Sequence, residues 1–307
     1  MFQCKQRCFR KIYRNQRRIN KIVVVHSRNL LLFYCKFTYN NFMAQIPDTH
    51  LILNADKSQY HLNLRPNELA ENVILVGDPD RVPILSALLD TIEVKKQKRE
   101  YVTHTGMYKG KRISILSTGI GTGNIDIVMN ELDALVNIDV DRREVKENLK
   151  KLNIIRIGTS GAIQADIAPG EFVLSRYTMG LDNLLDFYLL PQDYDEEQIS
   201  INLKNQLPSE PYFYICEGEK MLLNSFPQEI KRGITCVAPG FYAPQNRQLR
   251  APIKYAGLFD VLQNFSYQDL RITNLEMEAS AIYGLGKILG HRCCTIDLIL
   301  ANRVHNT

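Results

Sequence analysis

Three short runs constrain this chain most: "NVILVG" at 72–77, "NIIRIGTSGAI" at 153–163 and "CTIDLILANR" at 294–303. Each is rich in β-branched residues, almost continuous in apolar side chains and too short to span a membrane. Such runs read as strands buried on both faces, which requires helices to cover them. The helices are there. "DPDRVPILSALLD" carries a start signal of Asp before Pro, and "IGTGNIDIVMNELDALV" passes from glycines into an amphipathic pattern. "REYVTHTGMYKGKRISILSTG" gives two strands joined by a turn at 109–111, and "GEFVLSRYT" and "GITCV" give two more. A helix is expected over 277–289, a helix or surface insertion over 141–152, and a polar, Pro-containing loop or lid over 191–210. The alternation predicts an α/β domain with a mixed sheet and helices on both sides. Ligands of such sheets bind just past the strand ends, so polar groups matter most there.

Charge divides the chain. Of its 38 basic residues, ten fall in residues 1–42, and none of its 33 acidic residues do. The remaining body is mildly acidic despite an overall net charge of +5. The leader reads as upstream sequence ahead of a true start at Met43, and so as disordered or wrongly included. A transit peptide and a nucleic-acid-binding arm are the alternatives. Seven cysteines show no CxxC spacing, which argues against a zinc site and a disulfide framework and for a reducing, cytoplasmic setting. Neither a membrane nor a nucleic-acid partner is expected for the body.

Polar groups do cluster at the predicted strand ends. "GDPDR" places Gly77 and Arg81 after a strand, where a bare backbone and a forked guanidinium suit a phosphate. Taken alone, a turn with a surface arginine explains it as well. "RIGTSG" puts Arg156 inside an apolar strand, with Thr159 at its end; a buried arginine needs an anion, either a ligand or an internal carboxylate. "STGIGTGN" is Gly-rich and opens a helix, but lacks the dinucleotide fingerprint. "FYAPQNR" joins Phe241 to Gln245 and Arg247, an amide and a cation able to read a pyrimidine edge, or an ordinary turn. "NLEMEAS" holds Glu276 and Glu278. Residues two apart share a face on a strand but sit about 200° apart on a helix. Acidic residues at a helix start are the plain explanation.

These motifs, in this order, resemble the nucleoside phosphorylase-I superfamily over about residues 55–303, and within it the uridine phosphorylases. The resemblance implies a single three-layer α/β/α domain over 43–307 around a central mixed, partly barrel-like sheet, with its final C-terminal helix missing. It implies reversible, phosphate-dependent cleavage of uridine to uracil and ribose 1-phosphate, a pentosyltransferase reaction. Gly77, Arg81, Arg156 and Thr159 would hold phosphate, joined by Arg99 from a neighbouring subunit. Met277 and Glu278 would hold the ribose hydroxyls, with His61 donated across the same interface of a homodimer or homohexamer. Phe241, Gln245, Arg247 and Arg303 would hold the base. Arg81, Arg156, Thr159, Arg247 and Glu278 would carry catalysis, while Glu276 would point elsewhere and serve either the base side or the fold.

Cleavage leaves a cationic sugar and an anionic base, so the site needs fixed positive groups at the uracil oxygens and at phosphate, and no covalent nucleophile. No metal or resident cofactor is implied; inorganic phosphate is the co-substrate. An interface potassium ion stays open, because Glu100 and Ile120 match that pattern while Asn124 replaces a serine. Purine-specific members carry an Asp before the aromatic turn, where this chain has Ala238 and Pro239, which favours a pyrimidine. A purine or broad-specificity phosphorylase is the alternative within the superfamily. A catalytically inactive nucleoside- or phosphate-binding protein is the alternative outside it.

Overall fold

The computed structural model describes residues 45–207 and 211–307. The leader expectation therefore lies outside the described residues. The strands are β1 (Asn72–Val76), β2 (Thr91–Lys98), β3 (Tyr101–Tyr108), β4 (Lys111–Ser117), β5 (Ile138–Asp139), β6 (Glu144–Val145) and β7 (Asn153–Ala162). They continue as β8 (Phe172–Gly180), β9 (Tyr214–Glu217), β10 (Lys231–Val237), β11 (Ser266–Tyr267), β12 (Leu270–Glu276) and β13 (Arg292–Asn302). The helices are α1 (Arg81–Ser86), α2 (Thr122–Asn137), α3 (Tyr194–Lys204), α4 (Lys220–Leu223), α5 (Leu258–Asn264) and α6 (Ala279–Leu289).

The three constraining runs became β1, β7 and β13, which lie side by side and parallel at the centre of the sheet. The full order is β11-β12-β10-β8-β13-β7-β1-β4-β3-β2, with β9 on β8. Strand β12 also pairs antiparallel with β7 through Asn274–Ala162 and Leu275–Gly161. That pairing closes β12, β10, β8, β13 and β7 into a ring, so the mixed sheet is partly a barrel, as expected. Register shifts at Gly233/Ile234 in β10 and Ile299/Ala301 in β13 supply the bending a closed ring needs. The antiparallel β3–β4 hairpin turns at Lys109 and Gly110, both at positive φ.

Apolar spacing explains the helices. In α2, Ile125, Val128, Met129, Leu132 and Leu135 repeat at three- and four-residue intervals and are all buried. Each contributes about 1.5–3 kcal/mol by leaving water. They pack with β1, β7 and α6 in one core. Helix α6 is buried continuously from Ala279 to Gly286, and its small residues permit close approach. It ends at Gly290 in the left-handed region, the usual C-terminal stop. A second core joins Ile199 and Leu203 of α3 and Leu262 of α5 to β8, β9, β10 and β12.

One expectation is corrected and one open alternative is decided. The segment 191–210 is not a plain loop, because residues 194–204 form α3. Its start is a capping box in which Asp193 accepts from the Glu196 amide and Glu196 accepts from the Asp193 amide. Packing of Ile199 and Leu203 and a 2.6 Å bond from Lys287 to the buried Glu196 hold a helix whose sequence is only weakly amphipathic. The segment 141–152 forms no helix and is the surface insertion of the two alternatives, its β6 pairing back with β5 just before it.

Candidate active site

Arg156 is only 3% exposed and meets three carboxylates. Its Nη1 lies 2.9 Å from Asp297 and 3.1 Å from Glu276, and its Nη2 pairs with Glu278. "NLEMEAS" thus delivers both glutamates to one guanidinium. Glu276 ends β12, Glu278 is the N-cap of α6, and the backbone between them has not yet become helical. The helix begins at Ala279 rather than 277. Glu276 faces the same guanidinium rather than pointing away, and it serves the fold: it also accepts from the amides of Glu278 and Ala279, at 2.9–3.0 Å, and so caps α6. Glu278 accepts a 2.6 Å bond from the Gly121 amide at the start of α2. The Gly-rich stretch "STGIGTGN" therefore does face an anion, and within the chain that anion is Glu278.

Asp297 was not foreseen. It joins Arg156 to a buried polar network that takes a side chain from every strand of the ring. Asn274 on β12 donates to Asp297 of β13 at 3.2 Å and to Ser160 of β7 at 2.9 Å. Thr235 of β10 donates to Asn274 at 2.9 Å and meets Ser175 of β8 at 2.5 Å. Every member is buried, so the network stabilises the ring only while each partner stays satisfied. Its sequence signal is one acid in an apolar run, the counterpart of Arg156 in another.

Burial works against charge on Arg156, but Glu276, Glu278 and Asp297 outweigh it and hold its pKa above the ordinary value. Burial pushes Glu276 up to about 8 even against the pull of Arg156, with Glu278 and Asp297 adding repulsion. Burial, then repulsion from Glu278, raises Asp297 as well. Between them, Gly158 has no room for a side chain: a Cβ there would overlap both Arg156 and Asp297. Gly158→Ala is expected to lose at least about 3 kcal/mol of stability by prising that buried pair apart, read as a lower urea midpoint. A neutral result would show that the pair can shift aside.

The other strand-end residues gather in two places. Gly77, after β1, faces the Arg81 guanidinium, and Thr159 is half-buried near the end of β7. Burial, then Arg156, lowers the Arg81 pKa. At Gly161 of β7, Arg247 and Arg303 converge. Arg247 stacks 4.0 Å from the Phe241 ring and donates to the Phe241 carbonyl and the Gln245 side chain. Arg303 donates to the Gln245 carbonyl and lies 4.7 Å over Phe259. Burial, then Arg247, pushes Arg303 down to about 10. Gln245 is buried, Phe241 is 51% exposed, and Met277 is half-buried between the glutamates.

Two residues sit apart. Arg99 is exposed at positive φ in the β2–β3 turn and makes no ion pair among the described residues. His61 bonds through Nδ1 to Glu131 of α2 at 2.6 Å, and Glu131 also accepts from the His61 and Leu62 amides. Glu100 and Asn124 both border Gly119, with the Asn124 amide nitrogen turned towards it. Cys216, Cys236, Cys293 and Cys294 are buried free thiols. No helix among the described residues is long and apolar enough to cross a membrane.

Fold and site together define an α/β enzyme whose polar groups converge where the parallel strands of its sheet end. Residues 71–307 match the sequence profile of the phosphorylase superfamily. The uridine phosphorylase of Thermococcus kodakarensis is 32% identical over 251 residues, 81% of this chain and 79% of the relative. A DeoD-type purine nucleoside phosphorylase of Listeria welshimeri is 30% identical over 170 residues, 50% of this chain and 67% of the relative. The crystal structure of a Trypanosoma brucei nucleoside phosphorylase, described as showing uridine phosphorylase activity, superposes with a TM-score of 0.76. It is 27% identical and covers 83% of this chain and 91% of its own. The chain belongs to the phosphorylase superfamily, and its activity is that of a nucleoside phosphorylase, a pentosyltransferase.

Proposed function

We propose that the chain cleaves uridine reversibly with inorganic phosphate, giving uracil and ribose 1-phosphate. The observation that carries the choice of base is the convergence of Gln245, Arg247 and Arg303 at Gly161. Breaking the glycosidic bond pushes an electron pair onto uracil, where it spreads to the ring oxygens. Two fixed guanidiniums, already partly stripped of water, stabilise that charge as it develops. The Gln245 amide offers a donor and an acceptor to the pyrimidine edge. A purine leaving group would call for an acid at its imidazole nitrogen, and the turn after β10 offers Ala238 and Pro239.

On the sugar side, Glu278 accepts from the ribose hydroxyls beside Met277. Gly77, Arg81, Arg156 and Thr159 hold phosphate on the opposite flank. A guanidinium has five N–H donors. The carboxylates engage Nη1 and Nη2 of Arg156, and its buried Nε has no partner among the described residues. Phosphate stabilises the cationic sugar and captures it at C1′. Arg99 and His61, each away from this cluster, complete the phosphate and ribose sides of a neighbouring subunit in a homo-oligomer, with Glu131 fixing the His61 ring. No resident cofactor takes part. The buried thiols fit a cytoplasmic setting.

The test follows ultraviolet absorbance of uridine, thymidine and inosine, each with and without phosphate. Phosphate-dependent loss of uridine but not inosine is expected. Faster cleavage of inosine would transfer the assignment to purines, and binding without turnover would make this a binding protein.

A further inference from the structure

The cluster around Arg156 carries too much negative charge for the site it borders. If all three carboxylates were ionised, Arg156 would leave it at a net −2, and neighbouring Arg81 would reduce that only to −1. A dianion entering beside a buried negative cluster meets repulsion that water does not screen. Glu276 and Asp297 flank the same nitrogen, Nη1 of Arg156, and both are buried, so a single proton on the pair removes one charge.

We propose that Asp297 is a positioning residue that fixes Arg156 and, with Glu276, carries one shared proton whose presence allows a dianionic oxyanion to bind. The inference rests on the phosphate reading above and adds a proton to it. Above neutral pH the free site loses that proton to solvent. Oxyanion binding then draws one back, turning a carboxylate into a carboxylic acid. The elevated titration of both acids, caused first by burial, agrees with this. The other charged or titratable groups around the pair are Glu278, Arg81 with Asp78 before it, and the Cys236 thiol of β10. Arg247 and Arg303 lie further along β7, at Gly161. Burial and then Glu276 push the Cys236 thiol up, so it stays neutral and cannot supply the proton. The geometry of Asp297 explains why an acid stands there. Asp297 pairs with Gly158 on β7, and the missing side chain there lets it reach Arg156.

The experiment is calorimetric titration of the full chain with inorganic phosphate and with sulfate at about pH 9, in two buffers of different ionisation heat. One unit above a group that titrates near 8, binding should take up close to one proton per site, roughly 0.9. Sulfate does not protonate at this pH, so uptake with sulfate places the proton on the protein. Asp297→Asn is expected to bind sulfate with little or no uptake, because its cluster already lacks one charge. Should that variant unfold, Glu276→Gln carries the same expectation. Binding by the unaltered chain without uptake, uptake with phosphate but not sulfate, unchanged uptake in the variant, or no oxyanion binding would each overturn the proposal. Turnover of uridine with phosphate is read separately. If turnover occurs without uptake, the proposed function stands and only the shared proton falls.

Discussion

Arg156→Met is expected to destabilise the fold by about 3–5 kcal/mol at pH 8, the cost of leaving buried charges without their partner. The same variant should lose clearly less at pH 5. Three carboxylates surround this one guanidinium, and two of them are raised even in its presence. Without Arg156 their repulsion is unopposed and their folded-state pKa values rise further. A carboxylate raised on folding contributes stability that is present below its unfolded pKa and lost as pH climbs through the folded value. The intact protein carries some of the same dependence, since Glu276 sits near 8. The informative quantity is therefore the difference between variant and parent in urea midpoint at the two pH values. An equal difference at both would mean the cost is lost packing rather than stranded charge.

Arg247→Ala should lower uridine turnover by about 100- to 1,000-fold, the usual effect of removing one preorganised donor from a developing anion. The KM for phosphate should change little, because Arg247 lies at Gly161 with Phe241 and Gln245, away from Gly77 and Arg81. Its partners are on its own turn, so the fold should keep its urea midpoint within about 1 kcal/mol. Steady-state kinetics with phosphate varied at saturating uridine separates the two effects. Parallel losses in turnover and phosphate affinity would remove Arg247 from the base side and leave Gln245 and Arg303 as its readers.

Much of this was visible in the chain before any fold. The runs that became β1, β7 and β13 announce themselves because a strand covered on both faces must be apolar throughout. The amphipathic period of α2 and the glycines before it were equally plain. So was the oddity of Arg156, since an unpaired charge in such a run is too costly to be accidental. Helix α3 was hidden because its sequence is polar and its helicity depends on Ile199, Leu203 and the Lys287–Glu196 bond. Strand β12 was hidden behind "NLEMEAS", read only as a helix start when its first three residues also end a strand.

The sequence by itself determined most of the element types, though not α3 or β12, together with the α/β class, the strand-end positions of the polar residues and, through the order of its motifs, the superfamily. The tertiary structure alone decided what Arg156 is paired with. Glu276 and Glu278 stand 120 and 122 positions away in the chain and Asp297 stands 141 away. They meet only because β12 closes onto β7 and β13 lies beside it. Local propensity reports the conformation of a few neighbouring residues. Which charges share a buried nitrogen, and so whether they keep a proton, is set by ring closure, which no single stretch of sequence contains.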